Sequence, residues 1–286
     1  MTTTSPRRAD ARPSDAARPV PAPLARRGLE LVGVEHRYRS SDGEEVHALA
    51  EIDLVIEPGA FVTVVGPSGC GKTTLLHLIA GLLTPTAGTI ANAGEPITGP
   101  GRDRGLVFQH PTTLYPWLTV RGNVELGLRL QGVRRAERRQ RALEELARVG
   151  LRDVADRRPY ELSGGMQQRT QIARALAADP DVLLMDEPFG AVDALTREQL
   201  QSQIRDLWKA TGRTVILITH SVDEAVLLGS RVLVMSPRPG RIVLELPVPF
   251  AASDATNSEL RADAAFVATA HRVRDTIVRP LAADVQ

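Results

Sequence analysis

The stretch FVTVVGPSGCGKTTLLHLIAGL, Phe61 to Leu82, limits the possible folds more than any other part of this chain. A β-type apolar run passes straight into a glycine-rich loop, and LLHLIAGL follows with helical length and a closing glycine. Within it, Gly66, Pro67, Ser68, Gly69, Cys70, Gly71, Lys72 and Thr73 fit the spacing GxxxxGK[ST], with Thr74 next. Glycines at these places let backbone N–H groups converge on phosphate oxygens with no Cβ in the way. A helix starting at the end of the loop adds its unpaired amides and the positive end of its dipole. The chain has 35 Lys plus Arg, yet its lysines are only Lys72 and Lys209. Lys72 fits this reading because a compact ammonium on a thin stem can reach β- and γ-phosphates where a planar guanidinium fits poorly. The Thr73 hydroxyl can face Mg²⁺, the hard cation that accompanies nucleoside triphosphates.

At 286 residues and 43% hydrophobic content the chain can bury a sizeable core, as one large α/β domain or two small ones. The net charge of +1 argues against a general nucleic-acid binder. A single cysteine, Cys70, cannot form an internal disulfide, which fits a reducing, cytosolic compartment. No apolar run approaches a membrane span, so any membrane role requires another chain. Residues 1–27 are rich in Arg, Pro, Ala and Ser without a secretory apolar segment, and are expected to be a disordered tail. Its arginines Arg7, Arg8, Arg12, Arg18, Arg26 and Arg27 fit a solvated spacer or a contact with anionic lipid.

A phosphate loop needs metal and water chemistry from elsewhere. DVLLMDEP reads as a buried parallel strand whose C-terminal end opens on the ligand, with Asp186 holding Mg²⁺ through water and Glu187 polarising the attacking water. TVILITH is a second such strand and ends in His220, placed to reach a γ-phosphate. Ser221 and Glu224 then offer a capping box for the next helix. In ELSGGMQQRTQIARALAADP, Ser163, Gly164 and Gly165 form either a second phosphate-sized turn or an ordinary serine-capped helix start, with Met166, Ile172, Ala173 and Leu176 facing inward.

With LSGGMQQR beside GPSGCGKTT, Gln109 in LVFQ, DEP, Asp193 in FGAVDALTR and His220, the chain from about Gly28 to Phe250 resembles the ATP-binding subunits of ABC transporters. The resemblance implies a P-loop NTPase of ABC type: an α/β fold with a RecA-like core, an antiparallel β subdomain and an α-helical subdomain. It implies a head-to-tail homodimer in which Ser163, Gly164 and Gly165 of one subunit close over the ATP held by the other. Tyr38 stacks on adenine in such a protein, Gln109 senses the γ-phosphate and Mg²⁺, and Asp193 links the two sites. Two departures are small: Ser221 follows the histidine where an acid is frequent, and Val192 stands where leucine is frequent. TLYPWLTVRGNVELGL and MSPRPGRIVLELPVPF resemble the importer branch that handles nitrate, aliphatic sulfonates and taurine.

The expected organisation is a tail at 1–27, an ATPase domain at 28–250 with its helical subdomain near 112–178, and a C-terminal helical extension at 251–286. In that extension, Glu259 to Arg279 fits one amphipathic helix with Leu260, Phe266, Val267, Val273 and Ile277 inward. Tyr115 and Trp117 fit either the wall of a groove for a partner helix or a core role. The run RRAERRQRALEELARVGL places Leu143, Leu146 and Val149 at helical spacing, its charges forming a solvated face. The expected function is ATP hydrolysis coupled to solute import through a separate integral-membrane permease, with a solute-binding protein outside and this subunit peripheral on the cytoplasmic face. A soluble ABC-type ATPase acting as a mechanical switch in translation or DNA repair is the alternative, although such proteins usually carry paired cassettes or inserted domains. A metabolic kinase with a phosphate loop leaves the LSGGMQQR string without a role.

Overall fold

Alternation along the central strands divides the apolar side chains between two cores. The computed structural model describes residues 1, 28–39, 43–109, 113–190 and 192–283; residues 2–27 of the expected tail, with its six arginines, lie outside the described residues. In chain order the elements are β1 (Leu29–Arg39), β2 (Glu45–Ile56), β3 (Phe61–Val65), α1 (Lys72–Ile79), β4 (Ala87–Asn92), β5 (Glu95–Pro96) and β6 (Arg104–Val107). There follow α2 (Val120–Leu130), α3 (Arg135–Arg148), α4 (Gly164–Ala177), β7 (Val182–Asp186), α5 (Ala194–Thr211), β8 (Thr214–Ile218) and α6 (Val222–Leu228). The chain continues through β9 (Arg231–Met235), β10 (Ile242–Pro247), α7 (Asn257–Ala262) and α8 (Ala264–Ala283).

The larger sheet runs β10-β9-β3-β8-β7-β6, parallel except for β10. Phe61 and Val65 of β3, Leu183 and Met185 of β7, Val215 and Leu217 of β8, and Val232 and Val234 of β9 join one core, shared with residues of α2 to α6 and α8. Their neighbours Val62, Val64, Val182, Leu184, Ile216, Ile218 and Leu233 join the other, with Leu75, Leu76, Leu78 and Ile79 of α1. Both faces of the parallel strands are therefore covered, which is why these runs carry so few polar residues. One exception is Thr63, fully buried, whose hydroxyl donates to Ala225 O at 3.0 Å.

The second core is closed by a four-stranded antiparallel sheet, β2-β1-β4-β5, whose Leu29, Leu31, Val34, Leu49, Ile52 and Ile56 lie over α1. The phosphate-loop helix is thus clamped between two sheets. Helices α2, α3 and α4 pack on one another as a separate helical layer, where Leu146 and Val149 are buried and Leu143 is partly so.

The C-terminal region departs from the single expected helix. A Thr256–Glu259 capping box starts α7, and the chain breaks at Asp263, which is extended (φ −67°, ψ 131°) and whose carboxylate accepts from Ala265 N at 2.6 Å to start α8. Within α8, Val267 faces outward, 42% exposed, while Ala270 joins Phe266 and Val273 in the core at helical spacing. Phe266 meets Phe250 at a ring-centroid distance of 5.2 Å, so α8 shares the core that covers one face of the larger sheet.

The turn between β9 and β10 is bound to β2 and packs against the glycine loop. Gly240 N donates to Ala48 O (2.9 Å) and Ala50 N donates to Gly240 O (3.1 Å), while a Cβ at Gly240 would stand 2.0 Å from Cys70 O. Gly240→Ala must displace one of two backbones, and a loss of about 1–3 kcal/mol is expected, as for other overpacked sites. Urea unfolding measures it; an unchanged midpoint would show that the turn yields freely.

Candidate nucleotide site

Register decides which strand ends meet. Val64, Ile218 and Asp186 are aligned across β3, β8 and β7, so the segments that follow them leave the sheet at one edge. That edge is the carboxyl end of the parallel strands, where open α/β sheets bind ligands. It brings together the loop 66–71, Asp186, Glu187 and His220, although over a hundred residues separate the loop from the acids.

The loop wraps the start of α1. Gly71 has φ 97°, a left-handed conformation that a residue with a Cβ rarely takes, and it immediately precedes Lys72. Lys72 Nζ donates to Gly66 O (3.0 Å) and Pro67 O (2.9 Å), which keeps the ammonium folded over the loop. Cys70 Sγ lies 3.8 Å from Nζ, and burial pushes the thiol pKa up, only partly countered by the Lys72 charge. Tyr38, Ala48, Ser68, Gly69, Gly71, Lys72, Thr73, Thr74, Glu187 and Arg238 line a cleft of about 240 Å³. Tyr38 is held edge-on to His36 (centroids 4.6 Å, 82°), with its hydroxyl 3.1 Å from Thr74 Oγ1 and its ring 40% exposed. A larger cavity of about 540 Å³, lined by Gly59, Asn92, Asp179, Arg213 and Thr214 among others, lies at the opposite, amino end of the same strands, away from the loop.

Asp186 is buried and accepts from Thr73 Oγ1 at 3.4 Å. Burial pushes its carboxyl pKa up; the Thr73 hydrogen bond opposes this, the Glu187 charge adds to it, and His77 and Lys72 pull it back. A hydroxyl and a carboxylate side by side are hard oxygen donors. No group of three or more His, Cys, Asp or Glu suited to a metal occurs among the described residues.

Glu187 has φ 42°, a conformation costing roughly 1–3 kcal/mol for a residue other than glycine. Its N–H donates to Ile218 O at 3.0 Å, tying it to the end of β8. One carboxylate oxygen, Oε2, receives Gln109 Nε2 at 3.2 Å and stands 3.1 Å from His220 Nδ1. An ionised carboxylate only accepts, so Nδ1 carries the proton and Nε2 is the ring nitrogen left for another partner. The strained backbone thus aims a carboxylate at which an amide and an imidazole from two other segments converge.

The remaining expected residues lie elsewhere. Ser163 is the N-cap of α4, its Oγ accepting from Met166 N at 3.3 Å. Ser163 and Gly164 are exposed, and Gly165 is buried against Val192 and Thr196. Asp193 caps α5, accepting from Thr196 N at 3.0 Å, a bond that pulls its pKa down. None of these four lines the loop cleft.

Three further features are unexpected from the sequence. Gln168 Nε2 donates to Phe108 O (3.4 Å) and Arg174 donates to Thr113 O (2.8 Å), so the helix that begins at Ser163 is tied to the segment around Gln109. The Ser221–Glu224 capping box is only half formed: Ser221 Oγ accepts from Glu224 N, but the Glu224 carboxylate accepts from Thr219 Oγ1 (2.5 Å) and Gln201 Nε2 (3.2 Å). Thr219 Oγ1 takes the Ser221 N–H instead, at 3.0 Å, which stiffens the backbone on both sides of His220. Arg238 lines the cleft from a turn with no recognised phosphate motif. Tyr115 and Trp117 are 38% and 66% exposed, their rings tilted by 50° at a centroid distance of 5.2 Å, and this exposure removes the core alternative for the pair.

A profile of the ABC transporter family matches residues 49–190. The taurine import ATP-binding protein TauB of Roseobacter denitrificans is 51% identical over 224 residues, 78% of this chain and 83% of that protein. A putative ATP-binding protein of Brucella abortus is 52% identical over 228 residues, 79% of this chain and 86% of that one. Among solved structures, the ATP-binding cassette MJ0796, a dimer in a post-hydrolysis state bound to ADP and Pi, superimposes with a TM-score of 0.70 at 35% identity, covering 77% of this chain and 99% of the cassette.

Proposed function

This chain belongs to the ABC transporter family as an ATP-binding, ATP-hydrolysing subunit, and on that premise we propose that it powers the uptake of taurine or a related small organic anion through a separate membrane permease. The convergence of Gln109 and His220 on Glu187 Oε2, at the sheet edge that carries the glycine loop, supports the chemistry. Taurine import relatives at about half identity support the solute class, with nitrate and aliphatic sulfonates as neighbouring choices. An extracytoplasmic binding protein delivers the solute, and the subunit sits on the cytoplasmic face of the membrane. No helix among the described residues is long and apolar enough to cross a membrane, so attachment runs through the permease. We take residues 28–250 as the ATPase domain, with a helical part near 112–178, and 251–286 as an extension packed on it.

In this reading Tyr38 stacks on adenine and Gly66 to Thr74 surround the phosphates, with Lys72 leaving its loop carbonyls for the β- and γ-phosphate oxygens. Thr73, Asp186 and Gln109 hold Mg²⁺, which neutralises phosphate charge when bound. Glu187 accepts a proton from the attacking water, and His220, as an imidazolium that keeps its Nδ1–H on Glu187, donates from Nε2 to the γ-phosphate. The Ser163–Gly165 turn, with Ser163 and Gly164 exposed, does not line its own subunit's cleft, so in this reading it covers the ATP of a second copy, and Asp193 joins the sites across the interface.

Two experiments test this. With the permease in liposomes and its binding protein outside, taurine is expected to raise ATP turnover; a response to nitrate and none to taurine would replace the solute. For assembly, Glu187→Gln is expected to shift from monomer to dimer with ATP but not ADP in sedimentation, and adding Ser163→Arg to abolish the shift while ATP still binds. Loss of ATP binding by the monomer would instead put the Ser163 turn in its own subunit's site.

A further inference from the structure

The geometry points to Arg238 as a second cation for the polyphosphate of the bound nucleotide, gripping it from the outer side of the glycine loop. This rests on the reading of the loop cleft as the ATP site. Arg238 is in the wall of that cleft together with Ser68, Gly69, Lys72 and Thr73. A methyl group built on Gly69 would stand 3.7 Å from Arg238 Nη2, so the guanidinium lies directly beside the loop backbone whose amides face phosphate. The side chain is exposed, and no hydrogen bond or ion pair engages its guanidinium among the described residues. A free arginine beside a phosphate cradle has its planar donor edge available for two phosphate oxygens.

The turn that carries it is stiff. Pro237 and Pro239 flank Arg238 and limit its backbone, and Ser236 Oγ is bonded to Pro237 O (3.0 Å), Pro239 O (3.3 Å) and Arg241 N (3.1 Å). Gly240 anchors the far side through its two bonds to Ala48 and Ala50, pressed against Cys70 of the loop. Little backbone entropy therefore remains to be lost when the guanidinium engages a ligand. Its role complements that of Lys72. Inside the loop the ammonium is confined between Gly66 and Pro67 carbonyls, where shape favours lysine, whereas Arg238 approaches from open solvent where a planar group has room. Placement over Gly69 puts it on phosphate rather than on the base beside Tyr38.

ATP, ADP and AMP are titrated into the purified full chain carrying Arg238→Gln or Arg238→Lys, with Lys72→Ala alongside, at low and high salt. For Arg238→Gln the ATP Kd is expected to rise about five- to tenfold, somewhat less than the range for a hydrogen bond to a charged group because the side chain is exposed and screened. The loss shrinks at high salt, Arg238→Lys recovers part of it, and AMP binding stays unchanged. An unchanged ATP Kd, or an equal loss for AMP and ATP, would overturn the assignment. If Lys72→Ala loses ATP while Arg238→Gln does not, only this inference falls; if neither weakens ATP, the cleft itself has been misread.

Discussion

Glu187→Gln is expected to bind ATP like the native protein while its turnover falls by at least about 10²-fold, the usual scale of lost general-base help. The exchange keeps size and leaves the backbone bond to Ile218 intact, so the φ of 42° and the position of the side chain should persist. What changes is the atom at which Gln109 and His220 converge: an amide cannot take a proton from water and meets both neighbours with a donor as readily as an acceptor. Single-turnover hydrolysis in the permease-coupled complex measures it. Near-native turnover would remove Glu187 from the chemistry and leave His220 as the better candidate. Because the imidazole is held by Nδ1, His220→Ala should also lower turnover, by a smaller factor, through loss of a γ-phosphate donor.

Lys72→Arg keeps the charge and should still lose nucleotide affinity by roughly 10- to 100-fold, the scale of a hydrogen bond to a charged group. The ammonium fits between two carbonyls at 3.0 and 2.9 Å, and a guanidinium is wider than that space and cannot turn from the carbonyls to phosphate without moving the loop. Gly71 at φ 97° and the contacts of Gly240 with Cys70 leave the loop little freedom to adapt. Calorimetric ATP binding, with circular dichroism to confirm folding, is the measurement. Native affinity would mean that charge alone decides this position.

The local chemistry was legible in the residues. A strand, a glycine loop and a helix in direct succession dictate an anion cradle whatever surrounds them, because each glycine acts through its own missing Cβ. The buried strands of β7 and β8 were equally readable, since unbroken apolar runs ending in charged or imidazole side chains have few other uses. Ser163 and Asp193 were readable as chemistry but not as place: each sequence string fits a helix cap, which it forms within this chain, and neither lines the loop cleft.

Tertiary structure alone decided the rest, for reasons of distance. No local pattern relates Arg238 to Gly69, because the approach depends on how β9 lies beside β3 and where the following turn closes on the loop. The half-formed Ser221 cap has the same origin: Gln201 of a different helix and Thr219 compete for the Glu224 carboxylate and win. The break at Asp263 was also hidden, since one extended residue interrupts the apolar run with no glycine or proline to mark it. The sequence determined which side chains can bind phosphate and activate water, because that is set by their own atoms. Strand register determined that Asp186, Glu187 and His220 stand at one edge with the loop, because hydrogen bonding between strands acts across the chain and leaves no trace in any single stretch.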